Sequence, residues 1–134
     1  MRLDLRIDWS EQDLFGHINN VMYAKYIQAA RVNLWEKIGL TKHYSETNVG
    51  PTLAATSIQF KSPLFYPGTI YLLSGIKEIR TTSFIISHEL YTEQDTLSAR
   101  AEDVVVILDY NTHQKVSMSE NIREAYFKLL NTRS

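Results

Sequence analysis

The chain has no cysteine, which removes disulfides, thiolate nucleophiles and thiolate metal ligands from consideration. That absence fits a reducing cytoplasm, the expected location. Charge of neither sign dominates: 14 Lys and Arg against 15 Asp and Glu leave a net −1 with no basic block. A nucleic-acid partner is therefore not expected, because that footprint needs clustered cations. No apolar run approaches the roughly 20 residues that span a bilayer, and no membrane partner is expected. The opening MRLDLRIDW alternates charged and apolar residues and lacks the apolar stretch of a signal peptide. Internal repeats and low-complexity tracts are missing too. At 134 residues and 44% hydrophobic, the chain reads as a single domain, residues 1–134, able to bury a core without staples.

What is present begins with alternation. Over residues 2 to 9, Leu3, Leu5, Ile7 and Trp9 share one face and Arg2, Asp4, Arg6 and Asp8 the other, which predicts a half-buried strand. SEQDLFGH then reads as a loop. A helix is expected from about residue 20 to 38, stopped at Gly39, a residue suited to the left-handed position beyond a helix end. Its apolar set (Met22, Tyr23, Tyr26, Ile27, Ala30, Leu34, Ile38) follows three- and four-residue steps. Val21, Ala24, Ala29, Val32 and Trp35 widen the stripe so far that the helix should be enclosed.

Residues 53 to 61, 69 to 79, 82 to 93 and 97 to 110 are rich in β-branched and aromatic types and read as strands. SPLFYPGT and EQDT mark turns, and EIRTTS a bend without glycine. The run Val104 to Leu108 suggests a strand buried on both faces. Ser117 and Glu120 have the spacing of a capping box before a short helix to about Leu130. Successive strands with short turns favour antiparallel pairing. The expected fold class is α+β, a twisted antiparallel sheet curled round one long helix.

At the mouth of that helix stands QDLFGHINNVMYAKY, residues 12 to 26. A helix N-terminus offers unpaired N–H groups and the positive end of the helix dipole, which suit a carbonyl oxygen that becomes negative during reaction. A carboxylate just upstream, Asp13, could attack a carbonyl or deprotonate water. Asn19 or Asn20 can cap the helix, and Gly16 lets the backbone pass close to a ligand. Blander roles exist for each: Asp13 as a turn former, the asparagines as caps only, His17 as a partner for a backbone carbonyl.

The segment DLFGHINNVMYAKYIQAAR resembles the D-x-x-G-H-x-N-N-x-x-Y signature of hotdog-fold acyl-CoA thioesterases of the 4-hydroxybenzoyl-CoA thioesterase type. IDWSEQD, SPLFYPGT and VVVILDYNTHQK are similar to further family segments, so the likeness runs from residue 3 to about 115. The resemblance implies a helix wrapped by a five-stranded antiparallel sheet, usually dimeric. It implies hydrolysis of an acyl-CoA substrate to the free acid and coenzyme A, with no cofactor and no metal. Asp13 matches the catalytic carboxylate, as nucleophile or general base, and Asn20 the residue whose backbone N–H faces the thioester oxygen. Gly16, His17, Asn19 and Tyr23 match positions that shape the substrate pocket. Lys61, Arg80 and Arg100 are candidates to meet coenzyme A phosphates, against the alternative of solvated surface charge. Three departures stand out: Glu11 where Asp is frequent, Glu102 in place of a small residue, and Thr81-Thr82 at a bend where glycine is usual.

Two other functions compete. One is a hydratase or dehydratase using Asp13 and His17 as a proton-transferring pair on an enoyl- or hydroxyacyl-CoA. The other is a non-catalytic acyl-binding domain. His43, His88 and His113 lack metal-ligand spacing, and His88, set among Phe84, Ile86 and Leu90, reads as a satisfied core residue. No serine stands in a G-x-S-x-G elbow. A homodimer or a tetramer of dimers is expected, since sheet edges carry unpaired N–H and C=O groups.

Overall fold

The computed structural model describes residues 1–131. Its elements in chain order are β1 (Arg2–Arg6), α1 (Asn20–Lys37), α2 (Leu40–Thr47), β2 (Val49–Phe60), β3 (Thr69–Ile79), β4 (Ser83–Thr92), β5 (Leu97–Asp109), β6 (Gln114–Lys115) and α3 (Glu120–Asn131). A single 3-10 turn, Trp9–Glu11, follows β1. The strands form one antiparallel sheet in the order β1-β3-β4-β5-β2, with the two-residue β6 added beside the end of β5. This is the hotdog arrangement, α+β, with α1 against one face of the curled sheet. Register shifts at Leu53/Ala55, Ile76/Glu78 and Leu90/Tyr91 supply the local twist that lets the sheet curl.

Burial alternates along β3 and β4 as the period of two requires. Tyr23, Tyr26, Ile27 and Ala30 of α1 pack with Ile70, Leu72, Leu90, Ala99 and Ala101. One turn further along, Leu34 and Ile38 pack with Ile76, Phe84, Ile86, Val105 and Ile107, and α3 closes that end with Ile122. Between these two apolar clusters lies a buried polar stripe of Arg31, Ser74, His88 and Asp103.

Several expectations change. β1 ends at Arg6 because Asp8 caps the 3-10 turn, so Trp9 leaves the inner face and is 69% exposed. The sheet covers only one side of α1, leaving Val21 67% exposed, so the chain alone does not enclose its helix. On β5, Val105 and Ile107 are buried while Val104, Val106 and Leu108 are half-buried, because among the described residues no second layer covers the outer face. A second helix, α2, fills the stretch between the expected helix end and the first long strand. Gly39 does take the left-handed conformation, φ 88°, and there ends α1 and begins α2. At α3 the hydroxyl near the first turn is that of Ser119, which accepts from the Ile122 amide at 3.4 Å, two residues past the expected Ser117. The bend at residues 80 to 82 closes through Arg80 N–H to the Ser83 carbonyl, and Thr81-Thr82 manage it without a positive φ. No helix among the described residues is long and apolar enough to cross a membrane.

Candidate active site

The segment from Asp8 to Tyr23 folds back on itself at the end of the sheet where β1 leaves and α1 begins. Asp8 Oδ1 accepts from the Ser10 amide, and Glu11 Oε1 from the Asp8 amide at 2.8 Å, a reciprocal capping box that ties off the 3-10 turn. Gln12 then bridges Ile18, and His17 bridges Phe65 of the segment before β3. The loop between is held by Asp13. Its Oδ1 accepts from the Phe15 amide at 2.8 Å and the His17 amide at 3.1 Å, and its own amide donates to the His17 carbonyl at 2.7 Å. Gly16 turns the loop with φ 79°, in the left-handed region that other residues resist. Asp13 therefore is a turn former, and its second oxygen, Oδ2, has no partner among the described residues.

The helix start settles which asparagine caps. Asn19 Oδ1 accepts from the Val21 amide at 3.0 Å, and the Asn19 carbonyl accepts from the Met22 amide at 2.9 Å. The Asn19 amide donates in turn to the Glu11 carbonyl at 2.8 Å. Of the first three helical amides, only that of Asn20 is left without a partner among the described residues. An exposed carboxylate oxygen and an open amide at the positive end of α1 thus belong to one short loop-to-helix junction. Such a pair can deprotonate or replace a nucleophile on one side of a carbonyl and steady the oxyanion on the other.

His17 sets its ring edge-on to Phe65, centroids 4.9 Å apart. Tyr23 is buried, its hydroxyl 3.2 Å from Ser98 Oγ and 3.4 Å from the Ser62 carbonyl, so it acts from the core and not on the surface of the loop. The three cations separate. Lys61 follows β2 at the same end of the sheet as Asp13, near Leu64, whose carbonyl accepts from Ile18. Arg100 lies on the outer face of β5, 3.5 Å from Glu89, and lines a groove of about 550 Å³ with Ser57, Gly75, Lys77 and Glu102. Glu102 points outward there and pairs with Lys77 at 2.7 Å. Arg80 pairs with Glu78 just past the far end of β3, whose Ile79 is ten residues beyond Thr69, about 33 Å at the usual rise per residue.

Two features were missed in the sequence. Glu11 is buried, 5% exposed, and binds the Tyr26 hydroxyl at 2.8 Å and the Lys25 ammonium at 3.1 Å. Its three-residue spacing from Asp8 is a capping-box signal that was there to be read. The other is the buried stripe: Asp103 accepts from Arg31 Nε at 2.9 Å and Thr56 Oγ1 at 2.7 Å, and lies 2.7 Å from His88 Nε2. His88 Nδ1 meets Ser74 Oγ at 2.6 Å, so both ring nitrogens are occupied, as its place among apolar neighbours implied. Among the described residues no group of three or more His, Asp or Glu could hold a metal ion.

Comparison with known proteins joins this geometry to a family. Residues 7–126 match the model of the thioesterase-like superfamily. The long-chain acyl-CoA thioesterase FadM of Escherichia coli (strain K12) is 19% identical over 125 residues, covering 92% of this chain and 95% of that one. The structure of a DHNA-CoA thioesterase from Staphylococcus aureus superposes with a TM-score of 0.86 at 16% identity, over 97% of this chain and 90% of that one. A second Staphylococcus aureus protein, solved in complex with CoA, gives a TM-score of 0.91 at 10% identity, over 99% of this chain and 85% of that one. With the family match spanning the loop, α1 and every strand but β1, the chain belongs to the thioesterase-like superfamily.

Proposed function

We propose that the protein is a cytoplasmic acyl-CoA thioesterase, which hydrolyses the thioester to a carboxylic acid and coenzyme A. The single observation that carries the reading is the open Asn20 amide at the start of α1, beside a loop whose Asp13 has Oδ1 committed and Oδ2 unpartnered. With Asp13 as general base, Oδ2 takes a proton from water as its oxygen attacks the carbonyl, and the Asn20 N–H receives the oxyanion. Collapse of the tetrahedral intermediate breaks the C–S bond and expels the thiolate, which takes the proton from Asp13 and restores the carboxylate. With Asp13 as nucleophile, Oδ2 bonds to the carbonyl carbon and displaces the coenzyme A thiolate to give a mixed anhydride, which water then cleaves to the free acid and the Asp13 carboxylate. Gly16 and Asn19 fix the loop and the helix cap in either route, while His17 forms a wall and Tyr23 supports the site from the core. Lys61 is the cation best placed for a coenzyme A phosphate.

The working unit of this reading is a homodimer or a tetramer of dimers. Among the described residues β2 pairs with β5 alone, so its other edge carries no strand, and there the Tyr110 hydroxyl meets the Pro51 carbonyl. Leu53 and Phe60 on that strand and Val21 and Val32 on α1 are exposed apolar side chains. A second copy covering them would close both the sheet edge and the bare side of the helix. Thiol release measured across aliphatic and aromatic acyl-CoAs tests the activity; no release from any of them refutes it.

A further inference from the structure

Glu11 stands where the two halves of the proposed site are joined. Its carboxylate collects the Asp8 amide, the Tyr26 hydroxyl and the Lys25 ammonium. Its carbonyl holds the amide of Asn19, the residue that caps α1, and its own amide donates to the Asp8 carbonyl at 3.0 Å. Two residues later the chain reaches Asp13. One residue therefore ties the Asp13 loop to α1 twice, by main chain at the cap and by side chain in the second turn. Burial opposes charge on Glu11, but the Asp8 amide, Tyr26 and Lys25 outweigh it and hold the carboxyl below its ordinary value. A buried anion is a costly way to stabilise a turn, since well-packed apolar residues can often do as well. Its advantage is directional: hydrogen bonds to a carboxylate fix geometry to a fraction of an ångström.

We infer that Glu11 is a positioning residue for thioester hydrolysis, holding the Asp13 carboxylate and the Asn20 amide at the separation the reaction needs. The inference rests on the thioesterase reading above. Glu11 does not touch substrate; it acts through the two groups that do. Misplacement of reacting groups by about 1 Å can cost a hundredfold in rate, so losing the clasp should lower turnover far more than binding.

Glu11→Ala, Glu11→Gln and Tyr26→Phe test this by steady-state thiol release together with amide hydrogen exchange. Glu11→Ala should lower kcat at least about thirtyfold with KM within about threefold. Glu11→Gln, which keeps an acceptor for the Asp8 amide or Tyr26, should recover part of that loss, and Tyr26→Phe should fall between Glu11→Gln and wild type. In Glu11→Ala the Asn19 amide should exchange at least tenfold faster while β4 amides such as Ile86 and Leu90 keep their protection. Unchanged kcat in Glu11→Ala overturns the inference, as does a kcat loss matched by equal loss of β4 protection. Should wild type release no thiol, the thioesterase reading fails separately. Exchange alone then decides Glu11, and an unaltered Asn19 amide in Glu11→Ala refutes its hold on the helix start.

Discussion

Arg31 Nε lies 2.9 Å from Asp103 Oδ2, with side chains only 9% and 0% exposed, and the pair joins α1 to β5 between the two apolar clusters of the core. Removing Asp103 leaves the Arg31 cation buried without its carboxylate, so Asp103→Ala should lose about 3–5 kcal/mol of stability, and Arg31→Ala less, because Asp103 keeps Thr56 and His88. Urea unfolding measures it; a loss under about 1 kcal/mol would mean the pair is solvated in solution.

The same carboxylate predicts a pH dependence. Burial works against its ionisation, but hydrogen bonds from His88, Arg31 and Thr56 prevail and lower its pKa from the ordinary 3.8 to about 2. Folding therefore favours the ionised form. Its stabilisation is fully present above the unfolded value of 3.8 and is lost as pH falls toward the folded value of about 2. Wild type should lose on the order of 2 kcal/mol more than Asp103→Asn across that window. Parallel curves for the two proteins would contradict the assignment.

Gly16 has open space where a Cβ would stand, so Gly16→Ala meets no clash and tests the backbone alone. Its φ of 79° should make the alanine variant about 1–2 kcal/mol less stable in this loop. Thiol release should drop at least about tenfold as Asp13 shifts. Gly16→Asn, which tolerates the left-handed region better, should lose less. Equal activity in all three proteins would show that the loop carries no catalytic geometry.

His17 holds the loop through its backbone, and its ring packs edge-on against Phe65. His17→Ala should therefore reduce thiol release severalfold, in line with the roughly 0.5–1.5 kcal/mol of an aromatic pair. A loss as deep as that of Asp13→Ala, or efficient addition of water to a trans-2-enoyl-CoA by wild type, would favour the hydratase reading instead.

Much of this fold could be read from residue order, and the failures have physical causes. β3 is expected at residues 69 to 79 and occupies Thr69–Ile79, because its burial alternates from Thr69 to Ile76, up to the register shift at Ile76/Glu78. β2 begins at Val49, four residues earlier than expected, and takes in Gly50 and Pro51, residue types that usually weaken or end a strand. Gly50 is there because a Cβ would lie 2.9 Å from Tyr44 Cβ, so α2 can press against the strand only at glycine. Pro51 is tolerated because β2 is an edge strand with one side unpaired. The site loop was legible as a cluster of types. The choice of Asn19 as cap, leaving the Asn20 amide open, is a matter of one hydrogen bond that spacing cannot decide. The Arg31–Asp103 pair spans 72 residues and becomes visible only once strands are in register.

Light scattering at assay concentration should give the mass of two or four chains, because the open edge of β2 and the bare side of α1 would otherwise stay in water. A fully active monomer would contradict the shared seam.

The most direct test of the account compares thiol release by wild type and Asp13→Asn on the best substrate of an acyl-CoA panel. Asparagine keeps the Oδ1 acceptor for the Phe15 and His17 amides but removes the charge of the carboxylate. The variant should fold as wild type and lose at least about a hundredfold in kcat. Near-normal turnover by Asp13→Asn would contradict the account.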